Sequence, residues 1–341
     1  MDHHDESGAS RPWAELPADV LREIAGRHLR DATDFVRFHA VCRPWRDAAP
    51  PDGRAPSLLP WLVARHGWSA SARMRFRSPI ARRSMHLPHL PGNRDRRLIF
   101  SDAAAGRVLA AGARGHNRSA TIVFNPLTGD TAAAAAHPPP RREVSSWGCT
   151  SRGKDIFSIV AADHRFWAVM RPGEPFPGAT RAMAANLPPP PPGRDNRYVL
   201  ECHGELLCVD VLDVLPCQRQ AAPDAPAALM SVHARQESGD GRPRWVAREL
   251  GRSDAHRHLC LFLGWESSFA VDAREFAGAG MTGGCAYFIG RRKAGKEVHG
   301  VYRYSFEDGT VTLVDELPAR FDRKSMWFMP RPKLSAVRAQ H

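Results

Sequence analysis

The spacing of apolar residues changes character near residue 58. Before that point the spacing is helical. Val20, Leu21 and Ile24 share one face of a segment that opens on Leu16-Pro17 and stops at Leu29. Pro17 stands near the first helical position, where a missing N–H does no harm. Asp31 is placed to cap a second helix, with Asp34 in its first turn near the positive end of the helix dipole. Phe35 and Phe38 supply that helix's apolar face, and Pro44 can open a third short helix that carries Trp45. Three such helices within residues 13–50 bury too little surface to stand alone and need a partner to complete their core.

From Leu58 onward, short apolar runs alternate with turn residues. The pattern predicts strands at 97–100, 108–109, 121–124, 156–160, 166–170, 198–201, 206–211, 229–233, 245–248, 259–263, 269–271, 286–289, 301–306 and 311–314. Many short, evenly spaced strands imply an all-β sandwich, barrel or propeller, and a stretch of about 250 residues suits roughly six propeller blades of ~40 residues. Neither the WD nor the kelch signature occurs. Two tracts interrupt the pattern, Ala132 to Ala136 with the prolines that follow, and the five prolines 188–192, both expected as extended surface loops. Between Pro175 and Leu187 stands Gly178-Ala179-Thr180, ahead of the proline run, with no strand pattern. The predicted fold class is α+β multidomain: a disordered tail over 1–12, a three-helix module over 13–50, a linker over 51–57, a mainly antiparallel propeller-like domain over 58–330, and a tail over 331–341.

Composition changes this picture little. The 341 residues are 43% hydrophobic and 25% charged, as in ordinary globular proteins. The net charge of +12 admits nucleic acid, an anionic surface or an acidic protein as partner. The arginines are scattered, however, and form no helical stripe, which favours a solvated basic surface over nucleic-acid binding. Seven cysteines, an odd number without a CxxC, together with a polar N-terminus and no run of 18 apolar residues, point to free thiols in the cytoplasm and/or nucleus and to no membrane span.

The string Leu16-Pro17-x-x-Val20-Leu21-x-x-Ile24, followed by Phe35-x-x-Phe38-x-x-Val41-Cys42-Arg43-x-Trp45-Arg46, closely resembles the F-box. That resemblance implies docking on a Skp-type adaptor and, through it, on a cullin. It further implies that Leu16, Pro17, Leu21, Ile24, Val41, Cys42 and Trp45 divide between adaptor contact and local core. The remainder is similar to the KIB-type β-propeller domain that follows F-boxes in many plant proteins, those of grasses especially. The landmarks are Pro60-Trp61-Leu62, Phe124 to Gly129, Gly204 to Val209, Phe262 to Val271 and Tyr287-Phe288. Together the two resemblances imply the substrate-recognition subunit of a Skp-cullin-F-box ubiquitin ligase, non-catalytic itself, whose propeller holds a protein substrate. The alternative is a non-ligase scaffold or a nucleic-acid-associated basic protein, with Arg291, Arg292, Lys293 and Lys296 as support for nuclear residence.

Other chemistry is weaker. Gly278 to Gly283 fits G-x-G-x-x-G, yet the residues after it read as a strand, where a dinucleotide site needs a helix. Cys202, His203, Cys208 and Cys217 fit no zinc spacing. No nucleophile stands at a recognisable spacing from a base. The tryptophans read mostly as blade core. No cofactor, metal or catalytic residue is expected.

Overall fold

The structure, a computed structural model, describes residues 13–29, 31–48, 58–64, 73–88, 96–102, 106–112, 122–127, 131–133, 144–149, 156–160, 166–170, 196–203, 205–211, 230–237, 243–251, 256–265, 267–276, 279–291 and 298–331. A short 3-10 turn, Trp13–Glu15, precedes helices α1 (Ala18–His28), α2 (Ala32–Val41) and α3 (Arg43–Ala48). Among the described residues, twenty strands follow, in five sheets.

The first sheet combines β1 (Trp61–Val63), β2 (Arg73–Ser78) and β3 (Arg83–Pro88) with β20 (Met326–Phe328) from the far end of the chain. Trp61 lies opposite Phe328, and Leu62 opposite Trp327. The second holds β4 (Arg96–Asp102), β5 (Arg107–Gly112), β6 (Ile122–Phe124) and β7 (Thr131–Ala133). The third holds β8 (Val144–Cys149), β9 (Ile156–Val160) and β10 (Phe166–Met170). The fourth runs β11 (Asn196–Cys202), β12 (Glu205–Val211), β13 (Met230–Glu237) and β14 (Pro243–Ala247). The fifth is ordered β16 (Phe269–Asp272), β15 (Leu259–Leu263), β17 (Cys285–Arg291), β18 (His299–Ser305) and β19 (Val311–Glu316). All pairs are antiparallel except β15 with β17. The leading strands β20, β4, β8, β11 and β16 neighbour one another in that order, so each sheet is a blade of a propeller.

The wheel closes between blades five and one. The Trp327 indole N–H donates to the Leu263 carbonyl at 3.0 Å, and its ring meets Phe262 edge-on at 4.9 Å. A Cβ on Gly264 would stand 2.8 Å from the Trp327 ring and 2.7 Å from the Ser267 carbonyl, so only glycine permits this approach. The Arg77 guanidinium on β2 grips both carboxylate oxygens of Asp315 on β19, one at 2.6 Å. Sharing a blade between strands far apart in sequence pins the ring shut, while the outermost strand of each sheet remains a short edge.

Several expectations need correction. Among the described residues there are five sheets, where roughly six blades were expected, and the third has three strands. The residues 175–187 lie outside the described ones. Strands β1, β2, β3, β7, β8 and β20 were not anticipated. In β2, Met74 and Phe76 are buried while Arg75 and Arg77 face the other side, a period of two concealed by three arginines. Pro17 is the cap residue, with ψ 142, and α1 begins at Ala18. The glycines before β17 form a loop: Gly280 and Gly284 have φ of +78 and +66, and the strand starts at Cys285.

Candidate functional site

The three-helix module has two apolar surfaces. Its local structure follows from its caps. The Asp31 carboxylate accepts the Thr33 backbone N–H at 2.8 Å and starts α2, and Pro44 sits in the first turn of α3, where no amide donor is needed. Pairs such as Arg22–Asp19 at 2.6 Å and Arg27–Glu23 at 2.6 Å line the solvent side of α1.

The inner surface consists of Leu21, Ala25, Leu29, Ala32, Phe35 and Phe38, all buried. They join one cluster with Trp61, Phe76, Met85, Leu87, Met326 and Phe328 of blade one. Arg83 on β3 also pairs with Asp34 on α2 at 2.6 Å. The helices thus borrow from blade one the core that their own length cannot supply.

Other apolar side chains of the module stay open to solvent. Trp13 is 73% exposed, Val41 50% and Val20 43%. The Trp45 indole N–H donates to the Trp13 carbonyl at 3.0 Å, and its ring packs on Phe38 at 4.7 Å, so the 3-10 turn is held against α3 with the Trp13 ring outward. Pro17 is exposed, and Cys42, at the end of α2, is a half-buried free thiol. Leu16, Ile24 and Trp45 are half-buried and bridge the two surfaces.

The structure therefore divides the residues that the sequence grouped. Leu21, 1% exposed, falls to the core and is not available to a partner. Pro17, Val41 and Cys42 lie on the open side, with Leu16, Ile24 and Trp45 at its margin. Sequence reasoning missed Trp13 and Val20 as surface residues. An apolar residue just before the Leu-Pro start, with no helical neighbour to pack on, was the available signal for Trp13.

Burial pushes the Cys202 and Cys208 thiols up to about 12, so neither is a thiolate at neutral pH, and the two belong to different clusters. No grouping of three or more His, Cys, Asp or Glu that could hold a metal occurs among the described residues. Among the same residues no helix is long and apolar enough to cross a membrane. Trp61 and Trp327 are core, whereas Trp265 is half-buried with the Arg323 guanidinium 5.5 Å above its ring.

A propeller closed by its own C-terminal strand invites comparison with known families. The profile of the KIB1-4 β-propeller family matches residues 49–304, three quarters of the chain. The chain belongs to the KIB1-4 β-propeller family. The match starts just after α3 and ends within β18, so the three helices precede the part that the family profile covers. No curated protein matches the chain. Among solved structures, TolB from Acinetobacter baumannii is similar with a TM-score of 0.35 and 8% identity, over 79% of this chain and 66% of that one. The chain thus spans just under two thirds of TolB. A candidate 6-phosphogluconolactonase from Bacteroides fragilis has a TM-score of 0.25 and 12% identity, over 79% of this chain and 68% of that one. Neither likeness carries an argument about what this KIB1-4 propeller does.

Proposed function

We propose that this chain is the substrate-recognition subunit of a Skp-cullin-F-box ubiquitin ligase, with the three helices docking on a Skp-type adaptor and the propeller holding a protein substrate. The observation that carries the reading is the outer apolar surface of the helices. Trp13, Val20 and Val41 are half of the large apolar side chains exposed among the described residues, yet they lie within a module of three short helices. Large apolar side chains left exposed on so small a module suit a protein interface. Covering each of them contributes up to roughly 1.5–3 kcal/mol. Leu16, Pro17, Ile24, Val41, Cys42 and Trp45 form or border the contact, and Leu21 supports it from below.

A recognition subunit acts by position. The shared core and the Asp34–Arg83 pair fix the helices against blade one, so a substrate on the wheel keeps a set orientation towards the adaptor side. Holding a substrate lysine near a charged ubiquitin carrier raises its effective concentration without any catalytic group on this chain.

The test is capture of a purified Skp-type adaptor by the full chain, beside Val20→Asp/Val41→Asp. Both positions are open to solvent, so the variant keeps its melting temperature. We expect wild type to bind and the variant to lose binding at least a hundredfold. Cys42 should also react with N-ethylmaleimide in the free chain and be protected in the complex. Folded wild type that ignores the adaptor would sink the proposal.

A further inference from the structure

At one end of the wheel, Tyr198, Trp265, Ile289, Gly290, Arg291, His299 and Arg323 surround a cleft of about 10 Å³, room for a single water-sized group. Its members come from separate segments that meet only in the fold. Tyr198 stands near the start of β11, Trp265 follows β15 just before β16, Arg291 ends β17, His299 opens β18, and Arg323 precedes β20. The leading strands of blades four, five and one thus all begin at this cleft.

Among the described residues that line it, the charged side chains are of one sign. Arg77, Arg83, Arg197, Arg248, Arg274 and Arg331 each hold a carboxylate. Arg291 and Arg323 have no carboxylate partner among the described residues. Arg323 instead lies over the Trp265 ring, its guanidinium carbon 5.5 Å from the ring centre, a contact that leaves its charge in place. Tyr198 and Ile289 form a buried apolar floor, and Arg291 is open to solvent. Two guanidinium groups without a carboxylate partner among the described residues, one of them over an indole, stand beside an imidazole and the buried Tyr198 and Ile289, an arrangement that suits an oxyanion.

We propose that this cleft binds an acidic peptide segment, one carboxylate or phosphate oxygen entering it while the rest of the group lies between Arg291 and Arg323 and a neighbouring apolar side chain packs on Trp265. This rests on the reading of the wheel as the part that holds substrate. Arginine suits the task because its planar fork donates two parallel hydrogen bonds to a carboxylate or phosphate.

The probes are two fluorescein-labelled glycine/glutamate peptides, identical except that one carries a central phosphoserine and the other an alanine there. A single-stranded oligodeoxynucleotide of equal charge and inorganic phosphate are the comparators. Fluorescence anisotropy is read on the full chain, on Arg291→Gln/Arg323→Gln, and on Arg82→Gln/Arg257→Gln, which removes the same charge from exposed positions elsewhere. We expect the wild type to bind peptide, the cleft variant to bind it at least tenfold more weakly, and the control variant to match wild type. Phosphoserine dependence identifies phosphate as the ligand; equal binding of both peptides identifies carboxylate. Equal weakening in both variants, tighter binding of the oligonucleotide, or no binding of either peptide each overturns the proposal. Adaptor capture is measured on the same samples. It stays intact in the cleft variant, so a failed cleft and a failed docking surface give different results.

Discussion

The helices and the wheel handle apolar surface in opposite ways. The wheel seals it: every residue of β15 is buried, Trp61 and Trp327 are wholly enclosed, and the two chain ends share a blade. The helical module buries one face on blade one and leaves Trp13, Val20 and Val41 in water. Stability therefore resides in the closed wheel, and the module spends part of its apolar surface on being available. Such a division suits a recognition subunit, in which one part must be rigid and the other ready for a partner. The two regions are nevertheless continuous, because Met326 and Phe328 of β20 lie in the cluster that seats α1 and α2.

That continuity yields the largest predicted effect. Trp327→Ala removes a fully buried ring, its hydrogen bond to Leu263 and its contact with Phe262 at the closure of the wheel. Loss of such a side chain costs about 3–5 kcal/mol. Because β20 also floors the helical module, the helices should be lost with it. In guanidinium titrations, far-UV circular dichroism and tryptophan fluorescence should shift together in one transition. Helices that melt separately from the wheel would show that the shared cluster does not couple the two regions.

A smaller effect tests the coupling from its surface side. Arg83→Ala removes the pair with Asp34, whose members are 49% and 32% exposed. An exposed pair of this kind contributes about 0.2–1 kcal/mol and weakens with salt. A double-mutant cycle with Asp34→Ala should return a coupling in that range at low salt and little in high salt. A larger, salt-independent value would mean that charge, and not the apolar cluster, seats the helices.

How much of this was legible in the sequence depended on the range of the interactions. The helices were readable because their signals are local: Asp31 caps, Pro17 opens, and Phe35 and Phe38 repeat one turn apart. Blades four and five were readable from continuous apolar runs such as Leu259–Leu263. Strands β1 and β20 were not, since each has three residues and their pairing joins opposite ends of the chain. Nor could the pattern assign Leu21 to the core, because what covers it is blade one. The cleft was invisible for the same reason, its residues being scattered from Tyr198 to Arg323 and drawn together only by closure of the wheel.

The smallest effect, and the most diagnostic of how the module is built, is that of Asp31→Asn. One carboxylate oxygen of Asp31 caps α2, while Oδ2 is buried without a hydrogen-bond partner. Burial raises its pKa above the ordinary 3.8, against the opposing pull of the Thr33 hydrogen bonds. The sign follows from proton binding. Above 3.8 the folded chain holds this proton more tightly than the unfolded chain does, so ionisation of Asp31 weakens folding as pH rises through its folded value. Below 3.8 both states are protonated and the penalty is absent. Asp31→Asn keeps a capping oxygen and removes the buried charge, so at neutral pH it should leave stability within about 0.5 kcal/mol of wild type or raise it slightly. Asp31→Ala loses the cap and should cost about 1 kcal/mol. Unfolding titrations from pH 3 to 7 separate the two: relative to wild type, Asp31→Asn should gain stability steadily as pH rises. A relative loss over that range would mean that the carboxylate's charge supports α2 through the helix dipole more than its burial opposes it.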